Sequence, residues 1–409
     1  MTGKPRGLLA VIAVAMSLVL AGCGADPTAT PTSAPTATPL PPATPTPDEA
    51  ARFQAEWEAL IKAAQEEGEV QLSFNTGAGR RYRPVAEFFQ EKFGIKTVVS
   101  IGSGSASSNR ILAERAAGQF LVDIMYAGQT SSNTRMVPSG SLAPVADSLV
   151  HPEVTDLSLW FAGRHWYADP EQTYVFNFAA DAGPFNMSMN YNTDLVTQAD
   201  VDAMNSVFDY LDPKWKGKIV AYSPVGSGGG GAYFQAYVHP DVGTDWIDGF
   251  LSPELDVTFT DDLRFIVDGV VKGKFHMCVV CGSAGQDIQS LGELGAPAKE
   301  LFKEFKEGGA MTGTSNNIMV LLNQPNPNAG KLWINWWLSK DGAATVHRLG
   351  VQVPPPTLRE DVTEWGNTDE RVRRVPGKSY YFLTSDPKFT AKNAEAREYA
   401  AAVYEASGR

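Results

Sequence analysis

Two stretches of small residues carry the chemistry most easily read from this sequence. Gly102-Ser103-Gly104-Ser105-Ala106-Ser107-Ser108 leads into a predicted helix over Ser107–Gly118, and Gly226-Ser227-Gly228-Gly229-Gly230-Gly231 leads into one that begins at Ala232. At such a junction the first backbone N–H groups of the helix have no partner within it, and the dipole adds partial positive charge. Hydroxyls of Ser103, Ser105 and Ser227 supply further donors, and glycines such as Gly228 let a ligand approach the main chain closely. The chemistry that fits is anion capture. Arg264 opens the predicted helix Leu263–Lys272. A guanidinium there can clamp a carboxylate or phosphonate through two parallel hydrogen bonds. Beyond the predicted strand Val122–Tyr126, Gln129 and Thr130 offer donors at a strand end, while Tyr191 is a candidate for packing or ligand contact near a chain crossover.

Other chemistries find little support. Gly226–Gly231 satisfies the dinucleotide pattern G-x-G-x-x-G, but a run of glycines meets it cheaply, and no P-loop is present. There is neither a G-x-S-x-G elbow nor an H-E-x-x-H zinc motif, and the five histidines lack metal-like spacing. We therefore expect no catalytic activity, no cofactor and no metal. The net charge of −12 argues against nucleic acid as a partner. Beyond Cys23, the cysteines are Cys278 and Cys281. They leave three readings open: a disulfide, which requires the strand to end between them; two buried thiols; or a metal site shared with His276.

The N-terminus reads as an export signal. Lys4 and Arg6 precede the apolar stretch Leu8–Leu20, too short for the roughly 20 residues a membrane-spanning helix needs. It ends in Leu20-Ala21-Gly22-Cys23, which resembles the lipobox of bacterial lipoproteins and implies lipid on Cys23. Residues 1–22 are then the signal peptide. Residues 23–48 form a lipidated tether, because their Pro, Thr, Ala and Ser cannot bury enough apolar surface to offset chain entropy.

From Asp48 onward the composition is globular, and about 360 residues exceed what one core usually supports. Helical and strand patterns alternate. Phe53–Glu67 is a predicted helix, Glu69–Phe74 a strand, Tyr82–Phe93 a helix and Thr97–Ile101 a strand. The grammar resumes with strand Lys218–Tyr222, strand Lys274–Val280, strand Asn316–Leu322, helix Asn328–Leu338 and an alanine-rich tail helix in Ala391–Ser407. Alternation of this kind implies an α/β fold with mixed, mostly parallel sheets covered by helices, and ligands at the carboxyl ends of the strands.

The order of particular strings adds a resemblance. Ile111-Leu112-Ala113-Glu114 with Asp123-Ile124, Tyr191-Asn192-Thr193-Asp194-Leu195-Val196, Leu211-Asp212-Pro213-Lys214-Trp215-Lys216-Gly217-Lys218-Ile219, and Pro327-Asn328-Ala329 through Trp337-Leu338-Ser339-Lys340-Asp341-Gly342 occur in turn. Together they resemble the bacterial extracellular solute-binding proteins that include the ferric-ion-binding proteins. The resemblance spans roughly 69–350. It implies a two-lobed type II periplasmic-binding fold with an interlobe cleft, lobe 1 comprising 49–180 and 312–409 and lobe 2 comprising 181–311. It further implies a monomer that delivers a small solute to the membrane permease of an ABC importer driven by a separate ATPase.

The resemblance also has gaps. Ferric-binding relatives use a histidine from the first loop, a glutamate and two adjacent tyrosines. Here the first loop, Asn75–Arg83, has no histidine, Gly128 stands at the glutamate position, and Gly282-Ser283-Ala284 stands where the tyrosines belong. Loop residues Thr76 and Ser283 remain as neutral ligand contacts. The expected ligand is a small organic anion. The alternative is a ferric-iron-binding transport protein; polyamines enter if Asp123, Asp261, Asp262 or Asp287 line the cleft, and a surface ligand sensor or extracellular enzyme is the alternative of another class.

Overall fold

A computed structural model describes residues 46–225, 230–313 and 315–408. The signal and tether, Cys23, Ser227 and Gly228 lie outside the described residues.

The first lobe is built on a sheet in the order β2 (Lys96–Gly102), β1 (Glu69–Asn75), β3 (Ile124–Ala127), β14 (Asn317–Leu321), β6 (Phe176–Asn177) and β5 (Trp166–Tyr167), with β4 (Leu142–Ala143) beside β14. Only β2, β1 and β3 run parallel; β14 is antiparallel to β3, β4 and β6. The sheet is therefore mixed rather than mostly parallel, because the chain returns to it from the second lobe through β14. Strand β1 forms as its alternation predicts, with Val70, Leu72 and Phe74 buried on one face. The helix after it begins at Thr76, six residues earlier than its apolar spacing predicts. Asn75 is extended there and its side chain accepts from the Ala78 N–H at 2.9 Å, which is an N-cap. The supposed first loop is thus largely helical turn. Gly79 belongs to it because a Cβ there would lie 2.7 Å from Ile101 on β2.

This helix, Thr76–Phe93, and the helix Pro327–Leu338 enclose an aromatic core. Tyr82 meets Trp337 edge-on at 5.0 Å, Phe74 meets Tyr126 at 4.8 Å, and Trp333 Nε1 donates to the Tyr126 hydroxyl at 2.9 Å. Two carboxylates hold the start of Pro327–Leu338. Glu67, at the end of the helix Pro47–Glu67, accepts from the N–H groups of Asn328 (3.1 Å) and Ala329 (2.7 Å). Asp123 accepts from the N–H groups of Asn326 and Gln71, each at 2.7 Å. Asp123 is fully buried, and burial raises its carboxyl to about 6 against these hydrogen bonds. It sits before β3, at the opposite end from the strand termini where a ligand would bind, so it contributes nothing to a polyamine site.

The second lobe has the sheet β10 (Thr258–Thr260), β9 (Ile219–Tyr222), β11 (Met277–Cys278), β8 (Asn190–Asn192) and β12 (Ala298–Glu300). Strands β10, β9 and β11 are parallel; β8 is antiparallel to β11 and β12. Its core includes Tyr233, Trp246, Phe250 and Ile266. Cys278 and Cys281 are joined in a disulfide, their Cα atoms 5.6 Å apart. Strand β11 ends at Cys278, short of the Val280 predicted; the Val279 N–H still donates to the Val220 carbonyl and the Val280 carbonyl accepts from the Tyr222 N–H, and Val280 takes a φ of +60°. The chain therefore turns between the two cysteines, which brings their side chains to the same side. A disulfide leaves no thiolate to join His276 in holding a metal.

A third sheet, β7 (Asp181–Pro184), β13 (Gly309–Thr312) and β15 (Tyr380–Tyr381), connects the lobes. Each crossing changes core within three residues. Ala182, Met311 and Phe382 pack in the first core, while Phe185, Ala310 and Leu383 pack in the second. After β15 the tail stays with the second core, where Phe389, Ala396 and Ala400 are buried. The helix Asn393–Ala406 therefore packs on the second lobe, against the helices Gly230–Val238 and Gly243–Leu251, and not on the first as sequence order implied. No described helix is long and apolar enough to cross a membrane.

Replacing Asp123 by Ala leaves two backbone N–H groups without their acceptor. We expect a loss of about 2–3 kcal/mol, measured as a lower urea midpoint; an unchanged midpoint would refute the bracing role.

Candidate functional site

The parallel strands of each lobe end at a polar edge. In the first lobe β1, β2 and β3 each run directly into a helical turn, beginning at Thr76, Gly104 and Gln129. Ser103 caps the helix Gly104–Ala116 by accepting from the Ala106 N–H at 3.2 Å. A Cβ on Gly104 would lie 2.5 Å from Ser131 Oγ, so glycine is what lets the loops after β2 and β3 touch. Thr76 and Ser103 are exposed on this edge, and Ser105 and Thr130 are half-buried. Gln129 is buried, and its amide donates to the carbonyls of Thr384 (2.9 Å) and Ala168 (3.3 Å). It ties the first lobe to the tail segment, so its amide hydrogens are committed within the fold.

The second-lobe edge has the same construction. Asp262 caps the helix Leu263–Val271, its Oδ1 accepting from the N–H groups of Arg264 (2.9 Å) and Phe265 (3.1 Å). That carboxylate offsets the unfavourable placement of a cation at a helix start. The Arg264 side chain is exposed, with no ion pair among the described residues. Ser283 is exposed just before the helix Ala284–Glu293 and caps nothing. Arg264 and Ser283 flank the end of β9, from which the chain passes through Ser223 to the glycine-rich segment. Tyr191 is placed differently. It lies in β8, paired with Met277 and Lys299 and buried in the second core, where desolvation raises its hydroxyl pKa. Its crossover position was misjudged, because the crossing strand is β7, several residues earlier. The acidic alternatives at this edge, Asp261, Asp262 and Asp287, are exposed, but Asp262 is spent on the cap.

Sequence reading missed the polar floor beside the hinge. Asn177 Nδ2 donates to the Gly313 carbonyl (2.9 Å), the Asn316 carbonyl (3.1 Å) and Asn317 Oδ1 (3.0 Å). The Thr384 hydroxyl accepts from the Gly313 N–H at 3.2 Å. A Cβ on Gly313 would overlap the Asn177 amide. Asn177 Oδ1, Asn316 Oδ1 and Ser385 Oγ are buried without hydrogen-bond partners, so this floor holds acceptors and a donor still to be satisfied. The adjacent Asn316-Asn317 ahead of a buried strand was the available signal. Across from it, the turn Gln129–Ser131 packs against the helix Gly230–Val238 of the second lobe. The two edges and the floor therefore belong to one interlobe region. Among the described residues no three His, Cys, Asp or Glu side chains group as metal ligands. The donors present are backbone N–H groups, hydroxyls, amides and the Arg264 guanidinium, suited to an oxygen-rich small molecule.

Electrostatics at the hinge rest on Asp181, the first residue of β7. Burial raises its carboxyl to about 6, opposed by Arg81 and reinforced by Glu300 and Asp369. The folded chain thus holds this proton more tightly than the unfolded chain, whose carboxyl titrates near 3.8. The contribution is most favourable below pH 4 and is lost as pH rises through 6. Asp181→Asn should shrink the fall in urea midpoint between pH 4 and pH 7; an identical pH profile would refute this.

No protein-family model and no curated protein matches the sequence. Solved structures do. The iron-bound HitA of Pseudomonas aeruginosa aligns with a TM-score of 0.57 and 17% identity, covering 82% of this chain and 99% of that one. The periplasmic binding protein AfuA of Actinobacillus pleuropneumoniae, with fructose-6-phosphate bound, gives 0.53 and 16%, covering 83% and 97%. The spermidine/putrescine ABC transporter substrate-binding protein PotD of Streptococcus pneumoniae gives 0.51 and 14%, covering 82% and 99%. At such identities the likeness is one of architecture: this chain has the two-lobed type II periplasmic-binding-protein fold.

Proposed function

We propose that this protein captures a small organic anion between its lobes and delivers it to the membrane permease of an ABC-type importer. The observation that carries the reading is the pair of strand-end edges, each built from helix starts and hydroxyls, set on two cores joined by a three-strand hinge. Donors on the first edge are the exposed Thr76 and Ser103 with the half-buried Ser105 and Thr130; on the second they are the exposed Arg264 and Ser283, and Ser227 and Gly228 are proposed to join them. Ligand closes the lobes because it contacts both edges at once, and only differential contact of that kind shifts such an equilibrium. Among the structural relatives, HitA is iron-bound, AfuA holds fructose-6-phosphate and PotD is the substrate-binding protein of a spermidine/putrescine transporter. The donor set of this chain favours the phosphate-like end of that range. Gly128, Gly282 and Ser283 bring no anionic oxygen for ferric ion, and the edge carboxylates are few. Capture and delivery require no bond to be broken, so the chain acts as a binding protein rather than an enzyme, as a monomer outside the cytoplasm, anchored through lipid on Cys23.

Two measurements test this. In a thermal-shift panel of phosphonates, sulfonates, dicarboxylates, sugar phosphates, polyamines and ferric ion, one anion class should raise the melting temperature. At 100 times its dissociation constant the ligand adds about 2.7 kcal/mol, and Ser283→Ala or Arg264→Ala should diminish the shift. A response to ferric ion alone would overturn the anion reading. In the native cell, Cys23→Ala should move the protein from the membrane fraction to the soluble one; retention on the membrane would refute lipid anchoring.

A further inference from the structure

The interlobe region holds two arginines that no part of the preceding site uses. Arg135 lies in Ser132–Met136, a single wide π-helical turn that continues the turn Gln129–Ser131 after β3. Such turns open the regular hydrogen-bond ladder and recur at functional positions. Arg397 lies in the second turn of the tail helix Asn393–Ala406, which packs along the helix Gly230–Val238. That same helix receives the turn Gln129–Ser131 from the first lobe. The segments that carry the two arginines thus meet one helix from opposite lobes, and the charge of Arg135 is felt at Arg397.

Neither charge is compensated. No ion pair reaches either arginine among the described residues; Arg135 Nη1 donates only to the neutral Asn109 Oδ1, at 2.8 Å. Arg397 Nη1 is buried with no hydrogen-bond partner. Desolvation and the charge of Arg135 both lower the Arg397 pKa, and no acidic group acts against them. A half-buried guanidinium beside a second cation, with an unspent N–H, opposes the approach of the lobes unless something anionic lies between. Nearby, Asn133 Oδ1 is also buried without a partner, while its Nδ2 donates to the Ala168 carbonyl at 2.7 Å. It can accept from a ligand hydroxyl.

We propose that Arg135 and Arg397 form an interlobe clamp for the oxyanion group of the solute, a phosphate, phosphonate, sulfonate or carboxylate. The clamp makes closure depend on the anion. With the site empty, like charges hold the lobes apart; a doubly charged oxyanion turns that repulsion into two attractions, one from each lobe. Planar guanidinium forks suit the geometry of such oxygens better than ammonium groups do. Asn133 gives a place for a hydroxyl beside the anionic group, as in a phosphorylated or carboxylated polyol. The proposal rests on the anion-capture reading and names the side chains that supply its formal charge.

The test uses inorganic phosphate as probe, with sulfate and chloride at matched ionic strength. For the purified protein, phosphate should raise the melting temperature and reduce the radius of gyration in X-ray scattering. Arg397→Ala and Arg135→Ala should each weaken the apparent phosphate affinity at least tenfold, with Arg397→Lys recovering only part. Without phosphate, Arg397→Ala should melt no lower than the wild type, since it removes a repulsion; this also shows that the variant folds. Arg397→Glu should compact the protein with no anion present, because it replaces the repulsion by an ion pair with Arg135. If Arg397→Ala and Arg135→Ala bind phosphate as the wild type does while Ser283→Ala or Arg264→Ala loses it, the clamp is refuted and anion capture stands. If the wild type responds to neither phosphate nor sulfate nor any anion of the panel, both fail.

Discussion

Three extended segments, Asp181–Pro184, Gly309–Thr312 and Tyr380–Tyr381, carry the backbone from one core to the other, and the rest of the molecule depends on their pairing. A strand leaving a sheet must satisfy its N–H and C=O groups somewhere. These three satisfy one another, with β13 between an antiparallel β7 and a parallel β15. Because apolar side chains on each switch allegiance within three residues, the lobes need share no apolar core. Cores of this kind move relative to one another at small cost. The hinge also decides which surfaces meet, since it holds the carboxyl ends of both sets of parallel strands toward each other.

What those edges present follows from which backbone groups a parallel strand leaves at its end. Strand ends hand over to helix starts, where the side chains of Asn75, Ser103 and Asp262 each accept from one or two of the first N–H groups and the others have no partner within the helix. The first-lobe loops approach so closely that Gly104 lies under Ser131. In the second lobe the disulfide fixes the turn between β11 and Ser283. Formal charge is scarce by comparison. It enters through a few arginines, and in the proposed clamp Arg135 and Arg397, one from each lobe, couple closure to the charge of what is bound.

Carboxylates in this protein serve the fold more than the cleft. Asp123 and Glu67 satisfy backbone donors at one helix start, and Asp262 caps another. Asp181 is half-buried at the hinge, and desolvation raises its carboxyl pKa. An overall charge of −12 thus says little about the sign of a ligand, because many acidic residues serve as caps or lie on the surface.

Much of the architecture was legible because local chemistry determines it. Alternation over Glu69–Phe74, the apolar spacing of Asn328–Leu338 and the small-residue loops after strands specify element type within a few residues, and element order then implies an α/β fold of two lobes. The loops at Ser103 and Ser283 and the arginine at 264 could be picked out because their place relative to strand ends follows from sequence alone. Tertiary structure alone decided the remainder. Gln129 proved committed to Thr384, Asp123 to bracing, and Tyr191 to a core, because a side chain's partners come from segments tens to hundreds of residues away. The tail helix joined the second lobe through Phe389, Ala396 and Ala400, though its alanine-rich pattern would suit either. The asparagine floor and the Arg135–Arg397 pair exist only where the hinge brings distant segments together. The sequence determines local conformation through short-range sterics and periodicity; which charges and hydrogen bonds meet is set by long-range packing, which no local pattern encodes.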